Sequence, residues 1–86
     1  MKNKVLINLE IPEINHTFNI FIPVTEIIWR VKRMLIKSVT DIIDADFDST
    51  DYLLINKNTG QIYKNNEFVI NTDIRNTSEL ILLSKN

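Results

Sequence analysis

The stretch PVTEIIWRVKRMLIKS, residues 23–38, decides how the rest of the chain is read. Val24, Ile27, Ile28, Val31, Met34 and Leu35, continued by the small Ser38, recur at the i, i+3, i+4, i+7 spacing that lines one face of an α-helix. The spacing predicts a helix whose apolar stripe requires a second layer to cover it. Pro23 suits a first helical position, where its missing N–H would be unpaired anyway, and Glu26 then sits near the positive end of the helix dipole. Thr25 as N-cap is an alternative start. Lys32 and Lys37 fall toward the C-terminal half, and fraying is expected over residues 39–43.

Working outward, the period changes from helical to two. Upstream, Val5, Ile7, Leu9 and Ile11 alternate with Leu6, Asn8 and Glu10, and Phe18, Ile20 and Ile22 alternate with Thr17, Asn19 and Phe21. Pro12-Glu13-Ile14-Asn15 reads as the turn between them, so the two runs form a hairpin. Downstream, the acidic residues 44–51 read as a loop, and Tyr52-Leu53-Leu54-Ile55-Asn56 as a short strand. Lys57-Asn58-Thr59-Gly60 supplies a turn in which Gly60 takes positive φ, and Gln61-Ile62-Tyr63 returns as a further short strand. Residues 64–78 are polar with Phe68, Val69, Ile70 and Ile74 inserted, the pattern of a loop pinned to the core; Leu80-Ile81-Leu82-Leu83 forms the last strand. One mixed sheet of four to five strands with a single helix across it satisfies this order, which is the β-grasp arrangement of the α+β class. Val5, Ile7, Leu9, Phe18, Ile20, Val31, Leu35, Leu80 and Leu82 are the expected core.

The 86 residues are read as one domain, residues 1–86, with an expected stability of roughly 4 to 13 kcal/mol. The absence of Cys excludes disulfides, thiolate nucleophiles, zinc knuckles and iron–sulfur ligation, leaving the apolar core to carry stability. A net charge of −1 provides no overall positive field for nucleic acid or anionic lipid. No apolar run approaches the roughly 20 residues of a membrane span, and Asn8 and Glu10 interrupt the only run near the start. A cytoplasmic location without membrane insertion is expected.

Gly60-Gln61-Ile62 after a strand, then Asp73-Ile74, then Ser78-Glu79-Leu80-Ile81-Leu82-Leu83 resembles ubiquitin over nearly the whole length. More specifically, FNIFIPVTEIIWRV (residues 18–31), LLINK (53–57) and IRNTSELIL (74–82) are similar to the YukD/EsaB group of bacterial ubiquitin-like proteins, accessory components of type VII secretion systems. The resemblance implies a non-enzymatic adaptor that binds another protein and takes no cofactor. Ubiquitin conjugation and sulfur-carrier chemistry use a terminal Gly-Gly; here Leu83-Ser84-Lys85-Asn86 stands in its place, so covalent tagging is not expected.

His16 is the only histidine, with no neighbouring carboxylate closer than Glu13, and is read as a partly exposed hairpin residue rather than a catalytic base. Asp44, Asp46 and Asp48 imitate the first ligands of a calcium loop, but Ser49 replaces the turn Gly and Ile55 the bidentate Glu, so an acidic loop without bound metal is expected. No nucleophile, base, phosphate loop or metal cluster assembles at a recognisable spacing, and an enzyme is not expected.

Trp29 is more informative. At about 100° per residue, Trp29 and Ile36 fall near the side of the helix opposite the core stripe, with Arg33 between them. Arg30, Lys32, Arg33 and Lys37 supply four of the ten basic residues of the chain. An apolar group inside a charged rim marks a protein interface, so Trp29, Arg30, Arg33, Ile36 and Lys37 are the first candidate surface. The alternative is that Trp29 folds over the sheet edge and the cations are merely hydrated. The second candidate is the sheet face away from the helix, with Leu6, Leu53, Ile55, Ile81 and Leu83 pointing outward. A partner protein or a second copy of the chain is expected on one of these faces, within a secretion system or as a scaffold or regulatory homodimer outside it; nucleic acid is not expected.

Overall fold

The computed structural model describes residues 3–43 and 51–85. In chain order these form β1 (Lys4–Ile11), a 3-10 turn (Pro12–Ile14), β2 (His16–Pro23), α1 (Ile28–Ile43), β3 (Tyr52–Asn56), a second 3-10 turn (Val69–Asn71) and β4 (Glu79–Ser84). The sheet order is β2-β1-β4-β3. β1 and β2 pair antiparallel from Lys4 opposite Pro23 to Ile11 opposite His16. β4 runs parallel to β1, with Leu80 level with Leu9, and antiparallel to β3, with Leu82 opposite Leu54. One helix on this mixed sheet is the expected α+β, β-grasp architecture.

Turn chemistry closes the hairpin as the sequence indicates. Asn15 adopts φ 54° and returns its N–H to the Pro12 carbonyl at 3.1 Å; Asn is among the few side chains that enter this region readily. Pro23, which has no N–H to give, is tolerated because β2 is an edge strand.

The odd-numbered residues of β1 and the even-numbered ones of β2 and β4 face the helix. Ile7, Leu9, Ile11, Ile22, Leu80 and Leu82 are fully buried against Ile28, Val31, Leu35 and Val39. Each such side chain contributes about 1.5–3 kcal/mol in transfer from water. Val5, Phe18 and Ile20 pack against this core but are only half-buried, since they lie toward the outer strand and its ends.

Four readings need correction. The helix begins at Ile28, not at Pro23 or Thr25. The preceding segment is claimed by the 65–70 loop: Ile27 bridges Phe68, while Ile70 N–H donates to Val24 O at 2.8 Å and Val69 N–H to Glu26 O at 3.0 Å. The first free helical N–H groups, of Ile28 and Trp29, donate to Glu67 O and Asn65 O at 2.8 and 3.2 Å. Loop carbonyls therefore do the work of an N-cap side chain. At the other end the helix continues through the residues expected to fray, with Val39 fully buried.

The helix is also rolled about its axis. Because Val24 and Ile27 precede it, the buried stripe is set by Ile28, Val31, Leu35 and Val39, whose centre lies roughly 40° from the expected one at 100° per residue. Met34 is rolled out to 41% exposure and Ile36 is rolled in, half-buried against the core. Lys32 comes in with it, leaving 9% exposed.

Finally, the expected strand at Gln61–Tyr63 is reduced to one bridge, Ile62 to Ile55, so the described sheet has four strands. Asn56 Oδ1 accepts the N–H groups of Asn58 and Thr59, winding the turn tightly; Gly60 completes it at φ 78°. The Tyr63 ring then turns into the core, and the chain leaves the sheet. Asp44, Asp46 and Asp48 lie outside the described residues.

Candidate functional site

The first turn of α1 carries Trp29, held there by its N–H bond to Asn65 O. The indole is 38% exposed, lies outside the buried core, and lines a depression together with Tyr52 of the edge strand β3. Arg30 and Arg33 place their guanidinium carbons 5.2 and 5.9 Å from the ring centroid. These are cation–π distances, worth about 0.5–1 kcal/mol each at an exposed site, and they steady both cations over an apolar surface. Arg30 also meets Glu26, one helical turn earlier, at 3.4 Å.

Two open depressions flank Trp29 and Arg33, which line both. One, of about 430 Å³, is completed by Arg30, Met34 and Lys37. The other, of about 200 Å³, is completed by Lys32, Ile36, Asp51, Tyr52 and Asn65. Of the residues expected on this surface, Trp29, Arg30, Arg33 and Lys37 come together around the larger depression. Ile36 does not: it packs against the core and reaches only the smaller one. Met34, expected in the core, is the apolar floor beside Trp29; its exposure follows from the roll of the helix, which the apolar spacing alone does not reveal.

Lys32 forms the seam between helix and sheet. Its Nζ donates to the Tyr52 carbonyl at 2.7 Å, which occupies an acceptor on the edge strand β3. Burial lowers its pKa, and Asp51 acts in the opposite direction.

On the open sheet face the expected residues divide. Ile55 lies opposite Ile81 and bridges Ile62, and Leu53 lies opposite Leu83, which makes one apolar patch along β3 and β4. Ile62, half exposed, was not among the expected members. Leu6 is separate: its cross-strand neighbour is the exposed Phe21. Polar pairs intervene, Asn8 Nδ2 donating to Asn19 Oδ1 at 3.1 Å and Lys57 bridging Glu10 at 3.0 Å. The carboxylate of Glu10 raises the Lys57 pKa through this hydrogen bond.

His16 is exposed at the start of β2 with its ring 5.7 Å from that of Phe18. Among the described residues no group of three or more His, Cys, Asp or Glu could hold a metal ion, and no helix is long and apolar enough to cross a membrane.

No family model and no curated protein matches the sequence. Solved structures do match in shape. The N-terminal ubiquitin-like domain of the 4931431F19Rik protein superposes with a TM-score of 0.68 at 15% identity, covering 98% of this chain and 77% of that one. A chain of the MycP5-free ESX-5 inner membrane complex gives 0.78 at 11% identity; 93% of this chain is covered but only 20% of that one. A chain of the toluene 4-monooxygenase HD complex with 4-bromobenzoate gives 0.77 at 4% identity over 95% and 99% of the two chains. Likeness at these identities is likeness of fold, and folds of this kind host unrelated functions. The geometry and these neighbours agree on one conclusion, that the chain has the β-grasp fold seen in ubiquitin-like domains.

Proposed function

We propose that this domain is a cytoplasmic, non-enzymatic adaptor that docks non-covalently on a partner protein through the back of α1, as a YukD/EsaB-type accessory of a type VII secretion system. The observation that carries the docking reading is Trp29: the single tryptophan of the chain stands outside a closed core, within cation–π distance of two guanidinium groups, beside an open depression. Trp and Arg are the residues in which binding energy concentrates when a partner covers them. The assignment to secretion draws support from the sequence resemblance and from the fold match to a chain of the ESX-5 inner membrane complex.

The test is Trp29→Ala. Affinity capture from the native cell should lose the partner, while the melting temperature moves by no more than a few degrees, since the indole contributes little to the core. A large fall in melting temperature with capture intact refutes the docking reading, and a captured partner foreign to secretion machinery refutes that assignment. The apolar patch of Leu53, Ile55, Ile62, Ile81 and Leu83 favours a second reading, self-association across the open sheet. Sedimentation that finds a monomer throughout the micromolar range removes it.

A further inference from the structure

We propose that the segment received by the Trp29 groove is acidic and amphipathic, a helical stretch of a partner protein whose carboxylates meet Arg30, Arg33 and Lys37 and whose apolar residues rest on Trp29 and Met34. This rests on the docking reading and specifies its chemistry.

The cations of this face are sparsely paired among the described residues. Arg33 and Lys37 have no ion pair among the described residues, and Arg30 has only the partly exposed contact with Glu26. The three cations stand at i, i+3 and i+7 on one helix, a stripe about 10 Å long at 1.5 Å per residue. Carboxylates at the same spacing on a second helix present a matching stripe.

The arginines are also prepared for such a partner. Both guanidinium groups lie at cation–π distance from the indole. Of the five N–H donors each carries, the only one given to a carboxylate among the described residues is that of Arg30 to Glu26, which leaves donors for a partner's carboxylate. Met34 adds a flexible apolar surface that fits side chains of varied shape.

The stripe is also bounded. Past Arg33 the surface mixes both signs: the smaller depression carries Asp51, which pairs with Lys85 at 3.5 Å, beside Lys32. With a net charge of −1 and one stacking aromatic on the face, a short acidic peptide fits better than a continuous polyanion such as RNA or a lipid surface.

Trp29, being the only tryptophan, reports occupancy of its own groove by fluorescence. The full chain is titrated with a synthetic helical peptide bearing glutamates at i, i+3 and i+7 beside leucines, with its lysine counterpart, with a single-stranded oligonucleotide and with anionic phospholipid vesicles. The acidic peptide should give a saturable, salt-sensitive change in emission. The double variant Arg33→Glu, Lys37→Glu should weaken it by about tenfold or more with the melting temperature retained, because both positions are exposed. The lysine peptide should not bind. No saturable response to about 1 mM acidic peptide, an equal response to the lysine peptide, indifference to the double variant, or tighter binding of oligonucleotide or vesicles would each overturn the proposal.

Partner capture separates the two readings. If Trp29→Ala abolishes capture and the double variant captures normally, the acidic assignment falls and docking stands. If the acidic peptide binds as described and Trp29→Ala captures normally, the groove chemistry stands and the adaptor reading falls.

Discussion

Replacing Tyr63 by Phe removes one oxygen atom from a buried ring and tests how the 61–78 segment is held against the sheet. The hydroxyl donates to Asp73 Oδ1 at 2.5 Å and accepts from Asn56 Nδ2 at 3.2 Å, and the same Nδ2 reaches Asp73 Oδ2 at 3.3 Å. A hydrogen bond to a carboxylate is worth about 1.5–3 kcal/mol. Asp73 is exposed, so its carboxylate regains water in the variant and keeps its contact with Asn56; the cost belongs at the low end, about 1.5 kcal/mol. For a domain of this size that lowers the melting temperature by roughly 6–12 °C.

Tyr63 adds a pH signature. Burial first, and the bond to Asp73 second, raise its pKa above the usual 10.0. Above about pH 10 the unfolded chain has released this proton while the folded chain retains it, so the unfolded state binds fewer protons and stability falls as pH rises. The stabilisation is complete below pH 10, and the gap between wild type and Tyr63→Phe should shrink above it. Urea titrations from pH 7 to 11 measure that gap. Amide exchange measures the consequence at the site, because the N–H groups of Ile28 and Trp29 are covered by carbonyls of Glu67 and Asn65 on the same segment. A gap below about 0.5 kcal/mol at pH 7, or one unchanged between pH 9 and 11, refutes the anchoring role.

Lys32→Met should leave stability at pH 7 within about 1 kcal/mol, because loss of the bond to Tyr52 O is offset by removing a buried charge. In the wild type the lowered Lys32 pKa means that the unfolded chain holds the extra proton up to about pH 10.5, so this residue makes stability rise with pH approaching that value; denaturant titrations of Lys32→Met should show the rise gone. Gly60→Ala should cost about 1–2 kcal/mol from conformation alone, since φ is 78° and an added Cβ meets nothing within 4 Å; a melting temperature equal to wild type refutes this. Leu80→Ala should cost about 2–5 kcal/mol by opening a cavity beside Leu9, enough to leave much of the population unfolded in mild urea, and a smaller loss would show that the site collapses.

Local regularities carried much of this structure in plain view. Alternation in β1 and β2, the Asn15 and Gly60 turns and the inward set Leu80 and Leu82 are properties of a few adjacent residues, and each was legible because steric limits on the backbone act locally. Basic residues around a tryptophan were legible for the same reason. Where the helix begins and how it is rolled were not, because both depend on a loop about 40 residues later in the chain.

What the sequence determined by itself was therefore the hairpin, the one helix, the strands within 52–56 and 79–84 and the inward faces of the hairpin strands, through periods of two and 3.6 residues that any isolated segment displays. Tertiary structure alone decided that the loop carbonyls of Asn65 and Glu67 would set the helix start, that Lys32 and Ile36 would turn inward, and that Met34 would stand beside Trp29. The physical reason is that unpaired N–H groups at a helix terminus take whichever acceptors the folded chain brings to them, and the packing that follows sets the helix roll.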